Sequence, residues 1–203
     1  MSIDDCVVVG IEGSHGTGKT TLAHSLTAAL SAEGVQVGCL GEVVRGSPWF
    51  QEALLRGDGR VSSDAFLHLV ANQLRLEIEG TQYNRVLVCD RTILSTLGYW
   101  ELRLNPRHGD ERLLEVLQGL AGWHTARYDM LLYCEDYYDL TLGEDPFRGR
   151  DAAFREASDE SIRSTIERFG TPLEAVPRGL DPQTKTAWAR KELLPFIPAP
   201  VPR

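Results

Sequence analysis

The chain has 203 residues, 42% hydrophobic and 25% charged, an ordinary balance for one domain able to bury a core. Its net charge of −8 argues against a non-specific nucleic-acid binder, which needs a basic surface to displace counterions, although a local basic pocket stays open. No apolar run approaches the ~20 residues of a membrane span, and MSIDDCVVVG lacks the basic and long apolar regions of a signal peptide, so no membrane residence is expected.

Cys6 to Ile11 (CVVVGI) is a continuous β-branched run, expected to be a strand covered on both faces. GSHGTGKTT, Gly13 to Thr21, comes next and leads into a helix over Lys19 to Glu33. Leu22, Leu26, Ala29 and Leu30 make one apolar stripe on it, and Gly34 ends it. Val35 to Leu40 is the second expected strand, with Glu42 and Arg45 just past it in GEVVR. Ser63 and Asp64 are placed to cap a helix whose Leu67, Val70, Ala71, Leu74 and Ile78 share a face. Arg85 to Cys89 is the third strand, followed at once by Asp90 and Arg91. A short helix from Ile93 to Arg103, a loop from Pro106 to Asp110, and a helix marked by Leu113, Val116, Leu117 and Leu120 come next. Met130 to Cys134 is the fourth strand, Ser158 to Phe169 a helix, Leu173 to Val176 a fifth strand, and Thr184 to Leu194 a last helix. The proline-rich tail over residues 195–203 reads as extended.

Strands alternating with helices specify an α/β protein, with a parallel five-stranded sheet between two helical layers. Residues 1–203 read as a single domain, and the segment from Tyr137 to about Phe169 is its one candidate insert. Cys6, Cys39, Cys89 and Cys134 form no CxxC pair and lie in strand-like runs, so buried thiols and a reducing, cytoplasmic compartment are expected.

Gly13, Gly18, Lys19 and Thr20 satisfy the spacing G-x-x-x-x-G-K-[ST] between a strand and a helix. Gly13, Gly16 and Gly18 permit left-handed backbone, so the amides from Gly13 through Ser14, His15, Gly16 and Thr17 to Gly18 can turn inward as an anion nest. The following helix adds unpaired N–H groups and the positive end of its dipole. The Lys19 ammonium can reach β- and γ-phosphates, and the Thr20 hydroxyl can ligate Mg²⁺. His15 and Thr21 are secondary candidates for the phosphates.

On this motif and the strand–helix order, the chain resembles the P-loop NTPases over most of its length. Asp90 and Arg91, in CDRT at a strand end, make it similar to the nucleoside and nucleotide kinases. The resemblance implies a carboxylate at Asp90 that serves Mg²⁺, together with Thr20, and an arginine at Arg91 that contacts the acceptor. Glu42 looks like the glutamate that acts as base in deoxynucleoside kinases. The Glu-x-x-Arg of Glu42 and Arg45 is similar to that of bacterial ribosylnicotinamide kinases, which gives Arg45 an acceptor-binding or carboxylate-orienting role. Whether Glu42 or Asp90 is the base stays open. The segment EDPFRGRDAAFR matches the lid of this family, and Arg148 and Arg150 are its expected charge-neutralising arginines, with Arg155 on a lid helix. In the acceptor pocket, Gln73 is a candidate to read a base edge. Trp49, Phe50, Phe66, Tyr99 and Trp100 flank the same crevice, and Tyr137 and Tyr138 stand at the lid entrance.

The resemblance therefore implies a Mg²⁺-dependent kinase that moves the γ-phosphoryl of ATP to a small, nucleoside- or nucleotide-like acceptor. PRGLDPQTK, the loop before the last helix, carries no sharp base motif, so GTP stays open as donor. Val43 to Gly59 matches no particular kinase. A regulatory switch with slow hydrolysis, and a kinase of modified nucleotides within DNA or RNA, are the rival readings. A non-enzymatic structural domain sits poorly with an intact lysine and threonine. The sequence leaves the oligomeric state undecided, a homodimer included.

Overall fold

β1 (Val7–Glu12) is buried along its whole length and lies at the centre of the sheet. The computed structural model describes residues 6–56, 61–103, 110–138 and 152–197. β1 pairs in parallel with β3 (Val86–Asp90) on one side and β4 (Met130–Tyr133) on the other. β2 (Val37–Leu40) and β5 (Leu173–Ala175) complete the order β2-β3-β1-β4-β5, all parallel. Alternate residues of a strand face opposite sides, which is why an unbroken apolar run serves a sheet covered twice. Val7, Val9 and Ile11 pack in one core with Leu22, Leu26 and Leu30 of α1 (Lys19–Ala32) and Ala189 and Leu193 of α7 (Pro182–Leu193). Val8 belongs to the other core. There it meets residues of α3 (Ser63–Tyr83), α4 (Ile93–Arg103), α5 (Asp110–His124) and α6 (Ala152–Phe169). The result is the expected three-layer α/β/α arrangement.

The order puts β1 between strands that follow it by different routes, a topological switch point. Ligands of open α/β sheets bind at the carboxyl ends of the strands there. The segments after β1, β2, β3 and β4 all leave the sheet at that edge.

Several boundaries differ from the sequence expectation. β1 includes Glu12, and β3 includes Asp90, because parallel pairing continues through Ile11 with Asp90 and Glu12 with Tyr133. An additional helix, α2 (Pro48–Arg56), precedes α3. Ser62, not Ser63 or Asp64, caps α3, its Oγ accepting from Ala65 N at 3.2 Å. α6 starts at Ala152 rather than Ser158, since its first turns are exposed and lack the apolar repeat that marks Ile162 and Ile166. Cys6, Cys89 and Cys134 are buried as expected, but Cys39 is only partly so; all four are free thiols.

The buried face of α3 is also rotated from the expected one. Ala65, Phe66, Leu69, Val70, Gln73, Glu77 and Thr81 face inward, while Leu67 and Ala71 are exposed. Two polar residues sit inside because they find partners there. Gln73 Nε2 donates to Glu77 Oε1 at 2.5 Å. Glu77 Oε2 is 2.5 Å from His124 Nε2 and accepts from Tyr128 Oη at 2.9 Å. An apolar-only search for a stripe passes over such a network. Replacing His124 with leucine keeps the volume but strips Glu77 of one partner. It is expected to cost about 1–3 kcal/mol, the penalty for a buried polar group left short of a bond, read as a lower urea midpoint.

α4 and α6 pack closely at Gly98, where a Cβ would lie 3.1 Å from Ile162 Cα and 3.2 Å from Ile162 N. Backbone cannot yield as a flexible side chain does. Gly98→Leu is therefore expected to destabilise by about 1–3 kcal/mol through overpacking, measurable by denaturant unfolding. Arg148 and Arg150, the expected lid arginines, lie outside the described residues.

Candidate active site

The loop between β1 and α1 is built around three glycines at positive φ, Gly13, Gly16 and Gly18. Gly13 takes φ +133°, and a Cβ there would fall 2.4 Å from the Cys134 carbonyl oxygen. Gly18 takes φ +81° as the residue before α1, whose first turn has no side-chain cap and no acidic residue. The free amides of that turn are therefore directed at the loop, the arrangement that binds anions. Thr17 Oγ1 donates to Ser14 O at 3.1 Å and tightens the loop. Lys19 Nζ donates to Ser14 O and, at 3.3 Å, to Thr17 Oγ1. Its stem and head are buried, and burial together with the nearby Arg91 charge lowers its pKa to about 7, against the opposing pull of Glu42 and Asp90.

A cavity of about 370 Å³ opens beside this loop. Gly16, Lys19, Thr20, Thr21, Tyr138 and Lys185 are among its walls. Thr21 thus lies on the cavity. Tyr138 N donates to Gly16 O at 3.0 Å, and its hydroxyl accepts from Lys185 Nζ at 2.6 Å. Lys185 also pairs with Asp136 at 2.7 Å, and Glu135 bridges Arg163 of α6 (2.8 Å) and Arg178 (2.6 Å). The segment Glu135–Tyr138 therefore ties the loop to α6 and α7. Sequence reasoning missed Glu135, Asp136 and Lys185; two adjacent carboxylates just past a buried strand were the available signal.

Thr20 Oγ1 donates to Asp90 Oδ2 at 2.6 Å. Asp90 is buried at 3% exposure, and its Oδ1 has no hydrogen-bond partner among the described residues. A buried carboxylate oxygen without a partner is costly unless something binds there. A hydroxyl and a carboxylate side by side, both oxygen donors, fit a hard divalent cation such as Mg²⁺ that keeps waters and phosphate oxygens as its other ligands.

Arg91 stands next to Asp90 with φ 76°, the one non-glycine at positive φ among the described residues. An L-residue there costs about 1–2 kcal/mol. The turn aims its buried guanidinium along the strand ends. Nε donates to Glu42 Oε1 at 2.7 Å, NH1 donates to Gly13 O at 3.1 Å and to Ser95 Oγ at 3.4 Å, and the Tyr99 ring lies 5.2 Å away. Glu42 Oε2 accepts from Arg45 Nε at 2.9 Å. Burial alone would raise the Glu42 pKa, but Arg91, Lys19 and Arg45 together hold it down at about 2. The structure thus brings Glu42, Arg45 and Arg91 together. Glu42 and Arg45 border a second cavity of about 360 Å³, which Thr20, His24, Asn72 and Asp90 also line. Neither His24 nor Asn72 was a candidate from the sequence.

Gln73 is buried behind Arg91. Its Nε2 contacts Arg91 O at 3.4 Å as well as Glu77, so this amide hydrogen pair is engaged within the protein. His15 Nε2 lies 3.0 Å from Tyr99 Oη, and the His15 ring is near Tyr99 and Phe154 of α6. Phe66 and Trp100 are core residues in edge contact at 4.4 Å, whereas Trp49 is exposed beside His68. Arg155 lies over the Tyr137 ring at 3.8 Å, on α6 as expected. Glu12, fully buried under Arg91, was also missed. It accepts from Thr92 N (2.9 Å), Thr92 Oγ1 (2.5 Å) and Ser95 Oγ. It reads in sequence only as the letter before the glycine-rich loop.

A family model described as an AAA domain matches residues 8–181, from β1 to the residue before α7. The chain belongs to that AAA domain family. Among curated proteins, this AAA domain chain is 28% identical to the thymidylate kinase of Rhizorhabdus wittichii, over 94% of the chain and 98% of that protein. Among solved structures it is similar to NadR protein, determined with NR and with NAD and AMP-PNP, at TM-score 0.72 and 19% and 18% identity. The match covers 99% of the chain but 53% and 52% of NadR, so the chain spans about half the length of that protein. Deoxyadenosine kinase from M. mycoides matches at TM-score 0.67 and 13% identity, over 94% of the chain and all of that protein. The chain shares the three-layer α/β/α fold of these structures. Among its described residues no helix is long and apolar enough to cross a membrane.

Proposed function

We propose that the protein is a Mg²⁺-dependent phosphotransferase that moves the γ-phosphoryl of ATP to a hydroxyl or phosphate of a small nucleoside- or nucleotide-like acceptor. The observation that carries this reading is a juxtaposition. The anion cradle around Lys19 and the Glu42–Arg91–Arg45 cluster share one sheet edge, joined by Thr20 and Asp90. A protein that only binds or slowly hydrolyses a nucleotide has no use for a preformed carboxylate–arginine cluster beside the phosphate cavity. The kinase names of the relatives point the same way.

In this mechanism the loop amides and Lys19 hold the triphosphate, and Lys19 leaves Ser14 O for the β- and γ-phosphates. Thr20 and Asp90 would hold Mg²⁺, which neutralises charge on the phosphate oxygens when bound. Glu42 accepts a hydrogen bond from the acceptor. Its low pKa keeps it ionised and makes it a reluctant proton store, so it orients the attacking oxygen, and the proton of an attacking hydroxyl passes to an oxygen of the transferred phosphoryl group and then to solvent. Arg91, next to the cradle, stabilises charge in transit. Arg148 and Arg150 supply the lid in the proposal, and residues 1–203 act as a single domain in the cytoplasm, where the four free thiols persist. Catalysis of this kind is positioning and preorganised electrostatics.

The test is an ADP-release screen across nucleosides, nucleotides, cofactor precursors and oligonucleotides, with ATP and then GTP as donor. The expected result is release that depends on one acceptor class and on Mg²⁺. Release that ignores every acceptor would favour a hydrolytic switch, and release driven by oligonucleotides alone would favour the nucleic-acid kinase.

A further inference from the structure

Arg91 is held in a left-handed turn that its own side chain does not explain. The groups that hold the turn converge on Glu12, the last residue of β1. Glu12 Oε1 accepts from both the backbone N and the Oγ1 of Thr92, the residue after the turn. Thr92 Oγ1 in turn accepts from Leu94 N at 3.1 Å, which fixes the start of α4. Glu12 Oε2 accepts from Ser95 Oγ, and Ser95 Oγ is the atom that Arg91 NH1 reaches at 3.4 Å. The carboxylate oxygen that accepts from Ser95 Oγ draws the hydroxyl proton toward itself and leaves the oxygen lone pairs facing the guanidinium. Arg91 N also donates to Ile11 O at 3.0 Å. Both ends of the turn are thus anchored to the strand that launches the phosphate loop.

We propose that Glu12 is a positioning residue for Arg91, acting through Thr92 and Ser95, and that it sets where the arginine charge sits between the phosphate loop and Glu42. The proposal rests on the kinase reading only for its kinetic test. Glu12 touches neither cavity: it is fully buried and absent from the lining of both. A glutamine at this position keeps the shape and the acceptor for Thr92 but presents an amide donor to Ser95. That amide competes with the guanidinium for the hydroxyl oxygen and, with the carboxylate charge gone, weakens the hold on Arg91.

Glu12→Gln is expected to lower acceptor-dependent kcat about 10- to 100-fold, the range for a misplaced group, with nucleotide KM changed less than about twofold. In an Arg91→Ala background the same substitution is expected to add less than about twofold, because groups in one network do not act additively. Ser95→Ala leaves the Glu12–Thr92 bonds intact and is expected to show a smaller loss that also vanishes in Arg91→Ala. It serves as the second variant should Glu12→Gln fold poorly. Losses that multiply with Arg91→Ala, or that fall equally on nucleotide KM, would make Glu12 merely structural and overturn the proposal. A readout free of activity is the ¹⁵N–¹H resonance of Arg91 Nε, assigned by its disappearance in Arg91→Ala. It should shift or broaden in Glu12→Gln and Ser95→Ala. An unmoved resonance overturns the proposal, while a moved one in a protein without transfer activity upholds it and refutes the kinase reading alone.

Discussion

Lys19→Met is expected to remove phosphoryl transfer, lowering kcat/KM by about 10²–10³-fold or more, while the protein folds normally. The magnitude is that of deleting one preorganised donor to developing negative charge. Methionine retains the apolar stem and loses only the ammonium. Stability should not fall, and its pH dependence has a definite sign. The folded pKa of Lys19 is lowered to about 7 from the ordinary 10.5, so between those values the unfolded chain binds one proton more than the folded one. Stability contributed by this group therefore rises with pH across that window, and below it the buried charge is a cost. The variant should melt no lower than wild type at pH 6, and any advantage should shrink as pH approaches 10. Thermal melts at several pH values, beside steady-state kinetics, check both statements. Wild-type turnover in the purified variant would remove the loop from the chemistry.

Glu42→Gln is expected to lower kcat by about 10²-fold or more, the effect of misplacing the attacking oxygen. It should also destabilise at neutral pH by about 3 kcal/mol, because Arg91 is buried and loses its counter-charge. Here the sign is opposite to that of Lys19. The Glu42 pKa is held at about 2, below the ordinary 4.5, so the unfolded chain takes up a proton first as pH falls. The stability from Glu42 is present above about 4.5 and lost on the way down to about 2. In the variant, the fall of the urea midpoint between those pH values should be shallower. A wild-type acid profile in Glu42→Gln would mean that the carboxylate is not paired with Arg91 in solution.

The two substitutions differ in how much could be known of them beforehand. Lys19 was fixed by spacing. Its proposed role needs a strand, four residues, a glycine and a helix N-terminus, and each of these is a local property of adjacent residues. Thr20 follows from the same register, and Asp90 from its place at the end of an apolar strand. Glu42 and Arg91 were suggested by resemblance, but nothing in the letters says that their side chains meet. Their 2.7 Å contact joins residues 49 apart in the chain. Gln73 shows the other limit. Its amide suggested a reader of a base edge, yet it lies inside, on a network that includes Glu77.

The sequence alone settled the α/β class, the strand order along the chain, the place of the glycine-rich loop and the strand end that carries Asp90. These follow from periodicity and from backbone conformations that only certain residues adopt, and both operate over a few neighbours. The tertiary structure decided which way α3 faces, that Thr20 meets Asp90, that Glu42 is clamped between two arginines, and that Glu12 underlies the Arg91 turn. Each of these depends on which distant groups desolvate one another. A buried polar atom takes the partner that packing brings to it, and packing is a property of the whole sheet and its two helical layers.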